Sequence, residues 1–273
     1  MTSRIGSQPV FGVQAHPGGL FRRAIALDHR GPGRVVGWLE DHYHHFGVTI
    51  EHADGHVRDV GMAAPRFPWS TCAGAAVPLR ALVGKPLITR ASDLGRLIDM
   101  RLQCTHVFDL VALALVQAAT GRADRTYEVQ VPDRAVTVNP DAANAAEINL
   151  FGPGEVSLLR DGARVMHWSL DGQAITGPAP YGGHSLGQGF RQWTETMPEE
   201  EAEYATIIRR ALLVAGGRYQ DLDVFPTSAA QNMPAACHSF QPGQRHVAFR
   251  LSGSDRNYET AREAMLAHRA VTP

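Results

Sequence analysis

In the first part of the chain, apolar and polar positions alternate with the period of a β-strand. Between residues 45 and 51, Phe46, Val48 and Ile50 are apolar, and the positions between them are polar or glycine. Such alternation is typical of a strand with one buried face. The predicted strands are 22–28, 34–41, 45–51 and 56–63. An Asp-Gly pair at 54–55 suits a tight turn between the last two, so we expect an antiparallel meander.

The pattern then changes to helical spacing, in which apolar residues recur every three or four positions. The predicted helices are 73–83, 92–101 and 105–120. The third is the clearest, because Val107, Leu110 and Val111 share one face and Gly121 follows them as a helix end. Ser92 is expected to cap the second helix. The ordinary explanation for the apolar face of the third helix is that it packs in the core.

Beyond residue 121, strands and helices are mixed. The predicted elements are strands 127–131, 155–159, 164–170 and 246–251, and helices 198–215 and 257–269. The first of these helices is supported by Pro198 and by the three glutamates 199–201 near the positive end of its dipole. The sequence therefore predicts an α+β fold with three parts: a loose N-terminal arm (1–20), an antiparallel meander packed by helices (21–121), and a second α+β portion packed on the first (122–273).

Composition narrows the classes of partner. The chain has 273 residues, 26 basic and 27 acidic, so its formal net charge of −1 provides no long-range field for nucleic acid or an anionic membrane. The longest apolar helix candidate, 107–119, is shorter than the roughly 20 residues that span a bilayer. Three cysteines are too few for a disulfide framework, which favours a reducing cytoplasm. We expect a cytoplasmic protein with a small-molecule partner, and the oligomeric state is open.

Two pairs of histidine and aspartate are the first candidates for chemistry. His106 and Asp109 are three positions apart on the predicted third helix, so they share a face. Asp41 ends the second predicted strand and His45 opens the third. A carboxylate beside a histidine fixes its tautomer and raises its basicity, which suits general acid–base catalysis. The alternative for His106 is a structural role at the start of the helix.

Cys72, Cys104 and His106 form a second candidate set, for a metal. Both cysteines stand at predicted helix starts, where the helix dipole lowers the pKa of a thiol and favours the thiolate that binds metal. With Asp109, a histidine from 42–45 or water as fourth ligand, the set could hold zinc. No Cys-x-x-Cys pair supports this. The alternative is that both cysteines are small buried apolar side chains.

Aromatic residues in and beside the glycine-rich segment 177–189 are candidates for a substrate pocket. Tyr181, Phe190 and Trp193 could line it, although core or surface packing explains them equally well. The segment lacks the patterns of a dinucleotide site and of a P-loop. Ser185 is not in a Gly-x-Ser-x-Gly elbow, so a hydrolase triad is not supported.

A series of short landmarks follows a characteristic order between residues 20 and 120. They are Phe21-Arg22-Arg23, Asp41, His45, Val57-Arg58-Asp59-Val60, Ala63-Ala64-Pro65, Cys72, Leu82-Val83-Gly84 and Cys104-Thr105-His106-Val107-Phe108-Asp109-Leu110. In this order the chain resembles a bacterial family named domain of unknown function 2889 (DUF2889). The chain departs from the pattern in a shorter loop before His45 and in Gln103, where a glycine is usual. The family name carries no activity, so the resemblance implies a shared fold and a candidate site.

A looser likeness is to the NifU-type scaffold of iron–sulfur assembly. Cys72, the Gly-Lys pair at 84–85 and Cys104 occupy comparable places. The third cysteine of that scaffold has no counterpart in this segment. The likeness adds an iron–sulfur cluster to zinc as an alternative cofactor.

The working hypothesis is a small-molecule enzyme of lyase or isomerase type that needs no cofactor. His45 and His106 would move protons, Asp41 and Asp109 would orient them, and a largely apolar substrate would lie in a cleft between the two portions. Two alternatives remain open. One is a metal or iron–sulfur protein that uses Cys72, Cys104 and His106, and the other is a ligand-binding module without catalysis.

Overall fold

The computed structural model describes residues 19–139, 141 and 149–273. Most of the predicted N-terminal arm, up to position 18, lies outside these residues, and Leu20 already begins the first strand. The fold is α+β, with one large antiparallel sheet and helices that pack against it.

Eleven strands are present in the described part of the chain. They are β1 (Leu20–His29), β2 (Arg34–Asp41), β3 (His45–Ala53), β4 (His56–Arg66), β5 (Arg125–Pro132), β6 (Val136–Val138), β7 (Asn149–Phe151), β8 (Gly154–Arg160), β9 (Ala163–Asp171), β10 (Ala174–Gly177) and β11 (His184–Ser185). Nine form one sheet in the order β11-β10-β9-β8-β5-β1-β2-β3-β4, while β6 pairs only with β7. Because β1 lies between β2 and β5, strands from before and after residue 121 belong to the same sheet.

The helices of the described residues differ greatly in length. They are α1 (Ala76–Leu79), α2 (Leu94–Leu97), α3 (Thr105–Thr120), α4 (Phe190–Glu195), α5 (Glu199–Ala215) and α6 (Ser228–Gln231). Short 3-10 turns occur at Cys72–Ala75, Arg80–Leu82, Ala91–Asp93, Met100–Leu102, Gly216–Tyr219, Leu222–Val224, His238–Phe240 and Arg262–Ala264. Only α3 and α5 are long enough to cover several strands.

These two long helices lie on one face of the sheet. α3 packs across β2 and β3, and α5 packs across β5 and β8. Gly37 allows the close approach of α3, because a Cβ at this position would lie 3.0 Å from Leu110 Cδ1 and 3.2 Å from Leu27 Cδ2. Side chains alternate along a strand, so every second residue of β1, from Phe21 to Leu27, points toward the helices.

The opposite face of the sheet is covered by the last part of the chain, residues 255–273, which we call the C-terminal strap. It crosses the sheet in an irregular conformation with one 3-10 turn. Trp38 Nε1 donates a hydrogen bond to the carbonyl of Val271 at 3.0 Å, and Thr49 Oγ1 donates to that of Pro273 at 3.0 Å. A Cβ on Gly47 would lie 2.5 Å from Pro273 Cγ, so the strap packs directly on the strands.

Three carboxylates on this face hold the strap, one each from β1, β2 and β5. Asp28 accepts from Arg269 at 2.6 Å, and Glu128 accepts from Arg262. Glu40, at the centre, accepts from the Tyr258 hydroxyl at 2.5 Å and from the Leu266 backbone N–H at 2.6 Å. Side-chain and backbone donors of the strap therefore bind carboxylates of the sheet.

Several predicted elements are confirmed. The meander of β1–β4, the strand β5, the hairpin of β8 and β9, and the helices α3 and α5 all occur where the pattern places them, within a few residues at each end. The hairpin turn has positive φ at both Asp161 and Gly162, as the Asp-Gly pair requires. α3 ends at Gly121 in the left-handed conformation.

The two helices predicted before α3 are wrong as continuous helices. The segment 73–83 is divided into a 3-10 turn, α1 and a second 3-10 turn, since Pro78 has no N–H to donate to the carbonyl four residues earlier. The segment 92–101 is divided by Ile98, whose backbone is extended. Ser92 does not cap a helix, and its buried Oγ has no hydrogen-bond partner within the described residues.

The last two predicted elements are also wrong. The segment 246–251 makes isolated bridges, between Arg250 and Trp69 and between Phe249 and Thr227, and forms no strand. The segment 257–269, predicted as a helix, belongs to the C-terminal strap. Its arginines and tyrosine bind carboxylates of the sheet, and these tertiary contacts override the local preference for a helix.

The contacts between Glu40 and the strap lead us to expect that the protein loses stability in acid. Burial alone would raise the pKa of the Glu40 carboxyl, but hydrogen bonds from His45, Tyr258 and the Leu266 amide outweigh it and lower the pKa from 4.5 to about 2. A group with a lowered pKa stabilises the fold above its unfolded-state pKa, and this contribution is lost as the pH falls from about 4.5 to about 2. We expect Glu40 to contribute about 3 kcal/mol of this pH dependence.

The measurement is urea unfolding between pH 7 and pH 2 for the wild type and Glu40→Gln. The variant should be less stable at pH 7 and should lose less stability than the wild type on acidification. Equal pH dependence in both proteins would contradict the role given to Glu40.

Candidate functional site

A buried ion pair, formed by Arg23 and Asp41, lies on the helix-covered face of the sheet. The strand register pairs them across β1 and β2, and their relative exposures are 1% and 0%. Arg23 donates to Asp41 Oδ2 from Nε at 3.0 Å and from Nη2 at 2.5 Å. Asp41 Oδ1 accepts the backbone N–H groups of Tyr43 and His44 at 2.8 and 2.9 Å. Both oxygens therefore have the donors that a buried carboxylate needs.

Two stacked imidazoles lie beside this ion pair. His44 Nδ1 is 3.0 Å from Asp41 Oδ1, and because a carboxylate only accepts, Nδ1 is the donor of this hydrogen bond. The ring of His44 stacks on that of His106, with centroids 3.7 Å apart and 24° between the planes. His106 Nδ1 is 3.7 Å from Cys104 Sγ. Its Nε2 is buried and has no hydrogen-bond partner among the described residues.

The surroundings of Asp41 and His106 shift the pKa values of both groups and so determine their charges. Burial would raise the pKa of the Asp41 carboxyl, but the charges of His44 and Arg23 and the hydrogen bond from His44 hold it well below its usual range. Burial lowers the pKa of His106 well below its usual value, and His44 and Arg23 add to the effect. Asp41 is therefore ionised and His106 neutral near pH 7.

The two predicted histidine–aspartate pairs are arranged differently from the expectation. His45 lies on the strap-covered face, where its Nδ1 is 3.3 Å from Glu40 Oε1. Asp41 is partnered by His44 instead, because residues 42–44 form the turn between β2 and β3. Asp109 accepts from Arg210 Nε of α5 at 2.6 Å. Of the four predicted catalytic residues, Asp41 and His106 share one cluster, and His44 connects them.

The three cysteines are thiols in apolar surroundings. Burial raises the pKa of Cys72 to about 12, and it also raises the pKa values of Cys104 and Cys237 above the usual range. The expectation that helix dipoles lower the thiol pKa values is wrong here, because the cost of burying a thiolate exceeds that effect. Cys72 Sγ is 3.2 Å from Ser239 Oγ. This environment favours neutral thiols over thiolate ligands.

Among the described residues, one cluster has three potential metal ligands close together. Asp41, His44 and His106 offer ligand atoms that all lie within 4.8 Å of one another, whereas Cys72 and Cys104 are not in the cluster. A metal ion there would compete with the donors that already occupy Asp41.

A large cavity opens beside the buried ion pair. It has a volume of about 770 Å³ and lies between α3, α5 and the segment 91–101. Arg23, Ile25 and Leu39 of the sheet line it together with Phe108, Asp109 and Ile207 of the helices. Small-molecule sites commonly have volumes of about 300–1,000 Å³ and mostly apolar walls with a few polar groups. The cavity has the size of such a site, and its lining combines apolar side chains with nine charged ones, six of them arginines.

The three aromatic residues predicted to bind substrate cluster around Trp168, which is fully buried. Its ring centroid is 6.2 Å from that of Tyr181, 6.4 Å from that of Phe190 and 5.9 Å from that of Trp193. Phe190 also lines the cavity, but Tyr181 and Trp193 are not part of its lining. His184 stacks on Trp193, with centroids 4.1 Å apart.

Sequence reasoning did not identify Arg210, and it named Arg23 only within a family landmark and His44 only as one of the histidines 42–45 that could serve as a metal ligand. For Arg23 a signal exists, since it replaces an apolar residue on the inward side of β1, between Phe21 and Ile25, and a charge in such a position requires a buried partner. The roles of His44 and Arg210 depend on contacts between distant elements or on the shape of a turn, which no local pattern reveals.

Comparison with known protein families and with characterised proteins finds no match for this chain. The resemblance to DUF2889 therefore stays a prediction. In the described part of the chain, no helix has both the length and the apolar character needed to cross a membrane.

Proposed function

We propose that the protein is an enzyme that moves protons on a small, largely apolar organic molecule, in the manner of a lyase or an isomerase. The observation that carries this proposal is the cavity of about 770 Å³ with the carboxylate of Asp109 in its wall. The cavity lies between helices from the two portions expected from the sequence, which is where the working hypothesis placed the substrate.

Asp109 is the group best placed to accept a proton. It reaches the cavity from the second turn of α3, its side chain is 19% exposed, and Arg210 holds it at 2.6 Å. A positioned carboxylate is a competent general base when the bound substrate lies within hydrogen-bond distance. The proposal thus gives Asp109 the proton-moving role that the sequence had suggested for His45 and His106.

Arg23 supplies the complementary charge at the base of the cavity. Its guanidinium is fixed by Asp41, which His44 and the backbone amides hold in turn. A fixed cation stabilises negative charge that develops on a carbonyl oxygen when the adjacent carbon loses a proton. The buried histidines position Arg23 through Asp41, and none of them needs to contact the substrate.

The test is deuterium exchange in heavy water. The purified protein is incubated with a panel of small carbonyl compounds, with and without a carboxylate, and exchange of carbon-bound hydrogen is followed by mass spectrometry. We expect exchange with at least one compound and a loss of about 100-fold or more in Asp109→Asn, the range of general acid–base catalysis.

The matched control is Asp99→Asn, which also changes an aspartate of the cavity lining, but one whose side chain is 54% exposed and 3.8 Å from its arginine. It should retain most of the exchange. Full exchange in Asp109→Asn would remove Asp109 as the base. Binding without exchange would favour a ligand-binding module instead.

Metal binding is a second candidate function, favoured by the cluster of Asp41, His44 and His106 and by the unpartnered Nε2 of His106. Elemental analysis of the untagged protein tests it, with His106→Gln and Cys104→Ser as variants. Stoichiometric zinc that is lost only in His106→Gln would support this cluster. Loss in Cys104→Ser would instead support the cysteine set, with zinc or an iron–sulfur cluster.

A further inference from the structure

The arginines around the cavity differ in how their charge is balanced. Six of them line it: Arg23, Arg96, Arg101, Arg191, Arg209 and Arg210. Five have a carboxylate within ion-pair distance, in the pairs Arg23–Asp41, Arg96–Asp93, Arg101–Asp99, Arg191–Glu195 and Arg210–Asp109. Within the part of the chain that the structure describes, no ion pair includes Arg209. The cavity therefore contains one guanidinium whose charge the protein does not balance.

Arg209 is nevertheless held in a defined orientation. Its Nε donates to the Leu186 carbonyl at 2.5 Å, and its guanidinium carbon lies 4.9 Å from the ring centroid of Phe190. These contacts fix the plane of the guanidinium. Neither of its two terminal nitrogens has a hydrogen-bond partner among the described residues. A planar guanidinium with both terminal nitrogens available matches the two oxygens of a carboxylate.

The surroundings of Arg209 make an added anion favourable. The side chain is half-buried, and its neighbour in α5, Arg210, has the same charge. Burial and the charge of Arg210 lower the pKa of Arg209, and the opposing charge of Asp109 offsets this only in part, so the net effect destabilises the cation. Charges removed from water are normally paired. Because no carboxylate of the described residues lies within ion-pair distance of Arg209, a ligand anion would relieve this imbalance.

The rest of the lining defines the remainder of the ligand. Leu39, Phe108, Leu113 and Ile207 provide apolar walls from the sheet, α3 and α5. An inorganic anion would leave these walls in contact with water. An amphipathic molecule would pair its charge with Arg209 and remove apolar surface from water at the same time.

We propose that the cavity binds an organic carboxylate, whose two oxygens accept hydrogen bonds from the terminal nitrogens of Arg209 and whose apolar body packs between α3 and α5. This inference rests on the proposed function and names its substrate class. Asp109 and Arg23 would then act on the part of the molecule that lies away from its carboxylate.

The experiment compares octanoate with 1-octanol by isothermal titration calorimetry, because the two probes share an apolar chain and differ in charge. The wild type, Arg209→Gln, Arg209→Lys and a charge-matched control, Arg164→Gln on the exposed surface of β9, are titrated with each. The thermal unfolding of each unliganded variant is recorded first, and Arg209→Lys serves as the second variant if Arg209→Gln does not fold.

We expect the wild type to bind octanoate at least about 10-fold more tightly than 1-octanol, since a charge-assisted bidentate contact is among the stronger hydrogen bonds. Arg209→Gln should weaken octanoate binding by roughly 10–100-fold and leave 1-octanol binding unchanged. Arg209→Lys should lose less affinity than Arg209→Gln, and Arg164→Gln should behave as the wild type.

Equal affinity for both probes, unaffected by Arg209→Gln, would overturn the carboxylate site and leave the cavity as a site for neutral molecules. An equal loss in Arg164→Gln would also overturn it, because the effect would then come from net charge. Binding of neither probe would count against the cavity itself and so against the proposed function.

Discussion

Replacing Asp41 with asparagine is expected to lower the free energy of unfolding by about 3–5 kcal/mol, the range for removing one partner of a buried ion pair. The change leaves Arg23, which is 1% exposed, without its counter-charge. It also places an amide N–H₂ group against donors in either orientation, those of Arg23 at the Oδ2 position or those of His44 and two backbone amides at the Oδ1 position. Urea unfolding at pH 7 measures the effect.

The matched control is Asp54→Asn, which breaks the ion pair with Arg58 on the surface. The two side chains of that pair are 87% and 54% exposed, at a distance of 2.8 Å. Exposed pairs contribute roughly 0–1 kcal/mol, so this variant should unfold almost as the wild type does. A loss of less than about 1 kcal/mol in Asp41→Asn would show that the pair of Arg23 and Asp41 is not desolvated as the structure indicates.

Removing the C-terminal strap is expected to abolish cooperative unfolding. Ending the chain after Ser254 exposes Trp38 and Gly47 and takes away the donors that bind Asp28, Glu40 and Glu128. The combined loss of apolar burial and of the contacts to three carboxylates is comparable to the whole stability of a typical domain, about 5–15 kcal/mol. Near-ultraviolet circular dichroism during heating measures the loss of fixed side-chain packing.

Point variants keep this prediction testable if the shortened chain does not accumulate. Tyr258→Phe removes only the hydroxyl that donates to Glu40, and Arg269→Ala removes the ion pair with Asp28. Each should lower the stability by about 1–3 kcal/mol. A shortened protein that unfolds cooperatively at the temperature of the wild type would show that the sheet does not need the strap.

Elements whose signals are local could be predicted from the sequence. The alternation in β3, the Asp-Gly turns, and the glycine after α3 each act within a few residues, so the pattern and the structure agree. The C-terminal strap shows the opposite case. Tyr258, Arg262, Leu266 and Arg269 are spaced as on one face of a helix, yet each binds a carboxylate of the sheet, so contacts with distant strands decide their conformation.

In the candidate site, too, some residues could be predicted from the sequence and others could not. Asp41 and His106 could be recognised from residue type and position, and the structure brings them into one cluster through His44. The partners of Asp41 and Asp109 could not be predicted, since Arg23 and Arg210 reach them from other elements. The cavity itself depends on how far apart α3 and α5 lie, which is a property of the packed sheet.

The position of β1 in the sheet affects how long one edge of this strand stays unpaired during synthesis. β1 pairs with β2, which follows it at once, and with β5, which begins about a hundred residues later. Ribosomes add about 5–20 residues per second, so one edge of β1 stays unpaired for several seconds during synthesis. An open strand edge is a template for pairing with other chains. The nascent chain is thus most exposed to misassembly until residue 132 has left the ribosome, and the speed of synthesis through 30–132 sets the duration of that exposure.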